Sequence, residues 1–155
     1  MGKKTIFWGM SCETGKYISW SLIGTIDGNN LYLCDEILKI CNFGTTTDYN
    51  TSIVRNACLE IRNQYFSEDK REAIAIHPEL GHDVFVLSRQ EYEKRRRKIK
   101  EIKSPWWLRS SCIRPYQNYI HYVDGLNIHS INLNYGILGV RPAIILKKES
   151  EKWND

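Results

Sequence analysis

The stretch Pro105-Trp106-Trp107-Leu108-Arg109-Ser110-Ser111 decides the fold of this chain, together with the later stretch Gly139-Val140-Arg141-Pro142-Ala143. Each of the two adjacent tryptophans buries roughly 150 to 250 Å² when it is enclosed, too much apolar surface to leave in water. We therefore expect the tryptophan pair to anchor the core. Arg109 and Arg141 lie beside these core positions, where a guanidinium needs carboxylates or carbonyls to accept its hydrogen bonds. Both arginines are predicted to be structural.

Length and composition predict one domain. The chain has 155 residues, of which 42% are apolar and 26% charged, as in ordinary globular domains. A chain of this size buries about two thirds of the surface that it exposes when unfolded, so it needs no disulfides to hold a core. We assign residues 1–148 to a single domain and residues 149–155 to a frayed tail.

The cysteines and the hydropathy pattern predict a cytoplasmic protein without membrane association. The five cysteines are odd in number and form no CxxC pair, as expected for free thiols in a reducing compartment. The apolar run at residues 6–10 is too short for a signal peptide, and no run approaches the length of about eighteen residues that a membrane span needs.

Turn and helix signals predict a mixed α and β structure. Asp27-Gly28 and Asp124-Gly125 each divide two strand-like runs, which is a strong signal for a β-hairpin. Further elements are expected as helices at residues 34–40, 53–65, 68–76 and 89–99 and as buried strands at residues 83–88 and 140–146. The helix at 53–65 is the best supported, because its apolar residues recur at spacings of three and four.

Six short motifs follow one another along the chain: FWG at 7–9, YNTSIVR at 49–55, FSEDK at 66–70, VFVLS at 84–88, WWLRS at 106–110 and GVRPA at 139–143. This order resembles a widespread bacterial and phage domain family of unknown function. That family is similar in turn to the C-type-lectin-like fold of formylglycine-generating enzymes and of retroelement-diversified binding proteins. The resemblance implies a single α+β domain, C-type-lectin-like, with a twisted antiparallel β-sheet, two main helices and a late hairpin region that displays variable residues.

The resemblance does not imply the enzymatic activity. Formylglycine-generating enzymes need a pair of copper-binding cysteines near the C-terminus, whereas Cys112 is the only cysteine in the last third of this sequence. We expect no cofactor and no metal.

The segment between the two framework stretches is rich in tyrosine, asparagine and histidine. This composition is typical of antibody paratopes, because tyrosine offers rigid contact area and amides adapt their hydrogen bonds. The predicted partner-binding residues are Tyr116, Asn118, Tyr119, His121, Asn127, His129, Asn132, Asn134 and Tyr135. The alternative is a polar hairpin face with ordinary turn residues.

A basic run follows residue 93. Its cations are Lys94, Arg95, Arg96, Arg97, Lys98, Lys100 and Lys103. With Glu101, the run carries a charge of +6, so the other residues together carry −2 of the net charge of +4. Such a run could neutralise phosphates of a nucleic acid or bind an acidic protein, and it could also be the solvated face of a helix.

Metal and catalytic motifs are weak. Residues 77–83 hold two histidines and two carboxylates, but proline and glycine among them favour a polar surface loop. Trp153-Asn154-Asp155 resembles one calcium motif of lectins, yet the accompanying EPN or QPD tripeptide is missing. The suggestive nucleophile neighbours are Ser110, Ser111 and Cys112 near His121, but no GxSxG, Walker or GxGxxG motif accompanies them, and the apolar surroundings of Cys112 favour packing instead.

The sequence therefore favours a non-catalytic binding module for a protein partner, acting as a phage or mobile-element accessory protein on a host factor. A nucleic-acid-associated protein that uses residues 94–103 is the alternative, and an enzyme of unknown reaction is the second alternative.

Overall fold

Two five-stranded sheets dominate the computed structural model, which describes residues 4–113 and 115–148. The strands are β1 (Thr5–Met10), β2 (Tyr17–Ile26), β3 (Asn29–Cys34), β4 (Lys39–Cys41), β5 (Ile74–Ala75), β6 (Trp106–Ser111), β7 (Tyr119–Asp124), β8 (Asn127–Asn132), β9 (Leu138–Val140) and β10 (Ala143–Leu146). The helices are α1 (Ile53–Tyr65), α2 (Glu68–Glu72) and α3 (Arg89–Arg95), with 3-10 turns at Tyr49–Thr51 and Arg96–Lys98. The predicted α+β class is confirmed, and the predicted tail at 149–155 lies outside the described residues.

The first sheet has the order β1-β2-β3-β10-β5 and is antiparallel throughout. Its β2–β3 hairpin is the one predicted from Asp27-Gly28. Both turn residues have positive φ, 50° and 79°, as a two-residue type I′ turn requires. This turn stands at one end of the sheet, close to α3.

The second sheet has the order β4-β9-β6-β7-β8. Its neighbours are antiparallel apart from β6 and β9, which run parallel. The predicted hairpin at Asp124-Gly125 joins β7 to β8, with Gly125 at φ 64°. Strand β8 lies at the edge of this sheet.

The tryptophan pair places β6 between two hydrophobic clusters. Trp107 packs edge-on against Phe43 at 5.5 Å and donates its indole hydrogen to the Cys41 carbonyl at 2.9 Å. Trp106 points to the other side of the sheet, where Tyr92 packs edge-on at 5.6 Å. Both indoles are buried, at 1% exposure or less, in agreement with the expected core role. One strand thus joins two cores, because successive side chains alternate between its faces.

Arg141 is buried beside the same strand. Its Nε donates to the Cys34 carbonyl at 2.6 Å, and its guanidinium lies 5.0 Å from the centre of the Trp106 ring. Burial lowers the pKa of Arg141 to about 10. Its Nη1 has no hydrogen-bond partner among the described residues, so its donors are only partly accepted.

Helix α1 begins and ends where the sequence predicts. The Ser52 hydroxyl accepts a hydrogen bond from the Arg55 amide at 2.9 Å and so caps the first turn. The buried side chains of α1 are Val54, Ala57, Cys58 and Ile61, which share one face. No described helix combines the length and the apolar character that a bilayer crossing requires; α1, with 13 residues, is the longest of them.

The helix predicted at residues 34–40 is wrong. The amides of Cys34 and Leu38 donate instead to the carbonyls of Pro142 and Val140, at 2.9 and 3.0 Å. The Asp35 carboxylate accepts hydrogen bonds from the hydroxyls of two serines on β2. Distant partners therefore hold this segment extended as it passes from one sheet to the other, and a local helical signal cannot compete with them.

Four other predicted elements differ in extent. The helix predicted at 68–76 ends at Glu72, and Ile74–Ala75 pair with β10 instead. The run at 83–88 is buried from Val84 to Leu87, but it pairs through one isolated bridge, Phe85 with Ala143, rather than as a strand. The predicted helix at 89–99 changes to a 3-10 turn after Arg95. The strand predicted at 140–146 is divided between β9 and β10.

Candidate functional site

The β7–β8 hairpin carries most of the residues predicted to bind a partner. Six consecutive residue pairs join its strands without a register shift, from Tyr119 opposite Asn132 to Asp124 opposite Asn127. The Tyr92 hydroxyl donates to the Leu126 carbonyl at 2.7 Å, which ties the tip of the hairpin to α3. The hairpin is therefore a regular β-hairpin that a hydrogen bond anchors to α3.

One face of the hairpin brings four of the predicted residues together. Tyr119 and His121 are two residues apart on β7, so their side chains lie on the same face of the hairpin, and Asn132 of β8 lies on that face too. Tyr116, at 60% exposure, packs edge-on against Tyr119 with ring centres 5.6 Å apart. His121 is only 9% exposed, and it therefore lies at the base of this face rather than at its surface.

The opposite face carries two further predicted residues. His129 stacks on Tyr122 at 5.5 Å, with an angle of 28° between the rings. Asn127 begins β8 opposite Asp124, beside the turn. Ile131, on this same face, packs against the core cluster that contains Trp107. The predicted surface is thus divided between the two faces of an edge strand.

The remaining predicted residues lie in the connections at the end of the hairpin. The carbonyl of Asn118 accepts a hydrogen bond from the Leu133 amide at 3.0 Å. The Asn134 amide donates to Oδ1 of Asn132 at 3.0 Å, and Tyr135 is 81% exposed. These contacts shape the end of the hairpin, where two exposed tyrosines, at positions 116 and 135, flank the strand ends.

The basic run is distributed over α3, the following 3-10 turn and the loop beyond it. Arg95 donates to the carbonyls of Thr25 at 2.9 Å and Glu91 at 3.1 Å, and Arg96 lies over the Tyr92 ring at 5.2 Å. The remaining cations of the run are exposed: Lys94, Arg97, Lys98, Lys100 and Lys103. Two of the seven cations thus contact other parts of the domain.

A cleft of about 1200 Å³ lies between α3, the loop at 77–80 and the β2–β3 turn. At its wall, the carboxylate of Glu91 accepts hydrogen bonds from Arg109 Nη1 at 2.6 Å and Nη2 at 2.9 Å. It also accepts from His77 Nε2 at 2.7 Å and from the Ser88 amide at 2.9 Å. Arg109 donates further to the Val86 carbonyl at 2.8 Å.

This network determines the protonation states at the cleft. Burial alone would raise the pKa of Glu91, but the hydrogen bonds and charge of Arg109, with the Ser88 amide and His77, lower it to about 2. Nδ1 of His77 accepts the amides of Glu79 and Leu80, so the ring hydrogen is on Nε2 and is donated to Glu91. With its partners in place, the network stabilises the cleft wall.

The prediction that residues 77–83 form a polar surface loop is wrong for His77, which is buried at 2% exposure. Glu91 was not identified from the sequence as the partner of Arg109. The spacing of Ser88-Arg89-Gln90-Glu91 does predict a capping box, which would have placed Glu91 in the first turn of a helix. The structure contains that capping box at the start of α3.

A smaller pocket of about 490 Å³ contains the suggestive nucleophile neighbours. The Cys112 sulfur lies 3.7 Å from Nε2 and 4.0 Å from Nδ1 of His121, and Nη1 of Arg89 lies 3.5 Å from the same Nε2. Ser110 accepts the Arg89 amide at 2.8 Å through its hydroxyl, and Ser111 is exposed. Burial and the positive charge of Arg89 lower the pKa of His121, so its imidazole is neutral at pH 7.

Thiols and potential metal ligands are dispersed in the part of the chain that the structure describes. All five cysteines are free. Burial raises the pKa of both Cys34 and Cys58 to about 12 and that of Cys41 to about 11. Among residues 4–113 and 115–148, no three His, Cys, Asp or Glu side chains converge as a metal site would require.

Comparison of the chain with protein-family models, with curated proteins and with solved structures found no match. The functional proposal therefore rests on the geometry of the described residues.

Proposed function

We propose that the chain is a non-catalytic binding module that recognises a protein partner along the edge strand β8. The observation that supports this proposal is that no described strand pairs with the outer edge of β8. Its sequence, Asn127-Ile128-His129-Ser130-Ile131-Asn132, contains no proline, lysine or carboxylate, and no bulge interrupts its pairing with β7. Natural edge strands usually carry one of these protections, because an open edge pairs with other chains.

The hydrogen-bonding pattern tells which backbone groups of β8 face outward. The amide of Leu133 donates to Asn118 on the β7 side, while the carbonyl of Tyr119 accepts from Cys112 on the β6 side. Antiparallel strands alternate in this way, so Ile128 and Ser130 turn their amides and carbonyls away from β7. An extended partner segment can add to these groups, with side chains on both faces of β8 providing specificity.

Side chains around the edge fit a protein partner. Tyr116 and Tyr135 are exposed at the end of the hairpin, and His129 is exposed on the face opposite Tyr119. Exposed tyrosine beside amide side chains is the composition of protein-binding surfaces. The hairpin is also anchored through Tyr92, which reduces the entropy lost on binding.

A C-type-lectin-like fold for the domain is part of the same proposal, with the hairpin as its display region. Its support is the mixed α and β architecture and the late position of the hairpin between the WWLRS and GVRPA motifs. The free thiols support a reducing, cytoplasmic compartment. In this setting we infer a phage or mobile-element accessory protein that acts on a host factor.

Nucleic-acid binding through the basic run has less support. Arg95 is engaged with Thr25 and Glu91, and Arg96 lies over Tyr92, so that fewer cations can follow a phosphate backbone. Each phosphate contact adds salt-dependent affinity, and a loss of contacts lowers affinity accordingly.

The proposal is tested by capturing partners from a bacterial lysate with the tagged protein, with and without nuclease, and by repeating the capture with Ser130→Pro. Proline removes the outward amide of Ser130 and leaves the β7 ladder intact, since proline is tolerated where the missing N–H would face solvent. Ser130→Ala is the matched control, because it removes the hydroxyl but keeps the amide.

We expect a protein that survives nuclease treatment, binds the parent and Ser130→Ala, and is lost with Ser130→Pro. Retention by Ser130→Pro would place the binding site elsewhere. The captured species could instead be lost after nuclease treatment and also with Arg97→Glu and Lys98→Glu. That result would assign the function to the basic run.

A further inference from the structure

The pocket beside β7 contains a thiol with a base next to it. The Cys112 amide donates to the Tyr119 carbonyl at 2.9 Å, which places Cys112 across from Tyr119 and diagonal to His121 on the neighbouring strand. Diagonal neighbours on one face of a sheet lie within reach of each other. The resulting separation of 3.7 Å between the sulfur and Nε2 allows a proton to pass after a small rotation of the thiol.

The other four thiols have no such surroundings. Cys34 and Cys58 are buried at 0% exposure, and Cys41 is half-buried, with burial raising the pKa of all three. Cys12 is exposed, but its thiol donates to the Gln64 carbonyl at 3.0 Å and no histidine contacts it. Cys112 is therefore the thiol for which the chain provides both an open pocket and an imidazole.

Arg89 adds a positive charge at the pocket wall. Its Nη1 lies 3.5 Å from His121 Nε2, and its Nε pairs with the Glu93 carboxylate at 2.6 Å. Both side chains of this ion pair are 48% exposed, so solvent and solutes can reach the guanidinium. A guanidinium so placed can bind a carboxylate.

We propose that Cys112 is a reactive thiol that exchanges with low-molecular-weight disulfides carrying a carboxylate, with His121 as the base and Arg89 as the carboxylate-binding residue. His121 accepts the thiol proton, and the Cys112 sulfur attacks one sulfur of the disulfide. The S–S bond of the reagent breaks as a new S–S bond to Cys112 forms. The departing thiolate takes the proton from His121, so that Cys112 is oxidised and the released half of the reagent is reduced to a thiol.

The experiment follows each cysteine separately in the full-length protein. The protein is incubated at pH 7 with oxidised glutathione, whose halves carry carboxylates, or with the neutral bis(2-hydroxyethyl) disulfide, and modified peptides are quantified by mass spectrometry. Cys12 is the internal reference, because it is exposed but has no neighbouring base. With oxidised glutathione we expect Cys112 to react about tenfold faster than Cys12, since the adjacent imidazole can accept the thiol proton during the attack.

Three variants separate the roles of the neighbours. His121→Gln is expected to slow Cys112 towards the rate of Cys12 with both reagents. In the parent, Cys112 should react faster with oxidised glutathione than with the neutral disulfide. Arg89→Gln should make these two rates equal. Glu93→Gln should increase the ratio of the two rates, because it releases the guanidinium from its ion pair. Because the last two changes are on the surface, they test the proposal even if the buried His121 variant fails to fold.

Two results would overturn the proposal. A Cys112 that reacts no faster than Cys12 with either reagent would remove the thiol site altogether. The ratio of the Cys112 rates with oxidised glutathione and with the neutral disulfide could also stay unchanged in both Arg89→Gln and Glu93→Gln. That result would contradict the carboxylate-binding role of Arg89 and the proposed class of disulfide.

Discussion

Glu91→Gln is the substitution that tests the buried network at the cleft most directly. In the native state this carboxylate accepts two hydrogen bonds from Arg109 and one from His77, and its pKa lies at about 2 rather than the ordinary 4.5. Glutamine has a similar shape but cannot ionise. The substitution therefore leaves the guanidinium in place and removes the charge that compensates it.

The magnitude follows from the two pKa values. A difference between 4.5 and about 2 corresponds to roughly 3 kcal/mol of stability, at about 1.4 kcal/mol for each pKa unit. Because folding lowers this pKa, the contribution is complete well above pH 4.5 and is lost as pH falls towards 2. By the same relation, about half of it is lost at pH 3. The side chain is 13% exposed, so solvent screens it little.

The assay is urea unfolding of the parent and of Glu91→Gln at pH 7, 5, 4 and 3. We expect the parent to be more stable by roughly 3 kcal/mol at pH 7, and the difference to fall by about half at pH 3. Carboxylates that both proteins share cancel in this difference. Glu93→Gln is the control, because its pairing with Arg89 lies in solvent and should produce a much smaller pH-dependent difference. A difference for Glu91→Gln that stays constant from pH 7 to pH 3 would refute the assigned charge.

Two further predictions concern the core around Trp107. Trp107→Ala should lower the free energy of unfolding by roughly 3 to 5 kcal/mol, as measured by urea unfolding at pH 7, and a loss below about 1 kcal/mol would contradict its burial. A Cβ at Gly136 would lie 2.7 Å from Cη2 of Trp107, so Gly136→Ala should cost about 1 to 3 kcal/mol. In a Trp107→Phe background the same change should cost less; an equal cost would mean that the indole is not the obstacle.

Elements with strong local signals were predictable from the sequence. Helix α1 has a serine cap and apolar residues at helical spacing, and each Asp-Gly turn contains a glycine that adopts the required positive φ. These determinants act within a few residues. Residues 34–40 and 74–75 were predicted wrongly because their amides and carbonyls pair with residues about seventy to one hundred positions away, around β9 and β10. No window of local sequence contains that information.

For the candidate site, composition indicated the β7–β8 region, but it did not show that the predicted residues are divided between two faces of the hairpin. Strand alternation puts His129 on one face and Tyr119 on the other, and it buries His121 at the base of its face. Proximity along the chain did suggest Cys112 and His121 as neighbours. Arg89, which completes their pocket, comes from a helix start far from both in the sequence, and only the packing of α3 against β6 brings it there.

The position of β9 and β10 has a consequence for how the protein is made. Residues 138–146 supply the strand between β4 and β6 in one sheet and the strand between β3 and β5 in the other. Neither sheet has its full set of neighbours until this segment has left the ribosome. Until then the emerging chain presents four open strand edges instead of finished sheets, and such edges favour aggregation. Folding of both sheets should therefore follow the emergence of a single nine-residue segment, and the chain is prone to aggregate until that segment is available.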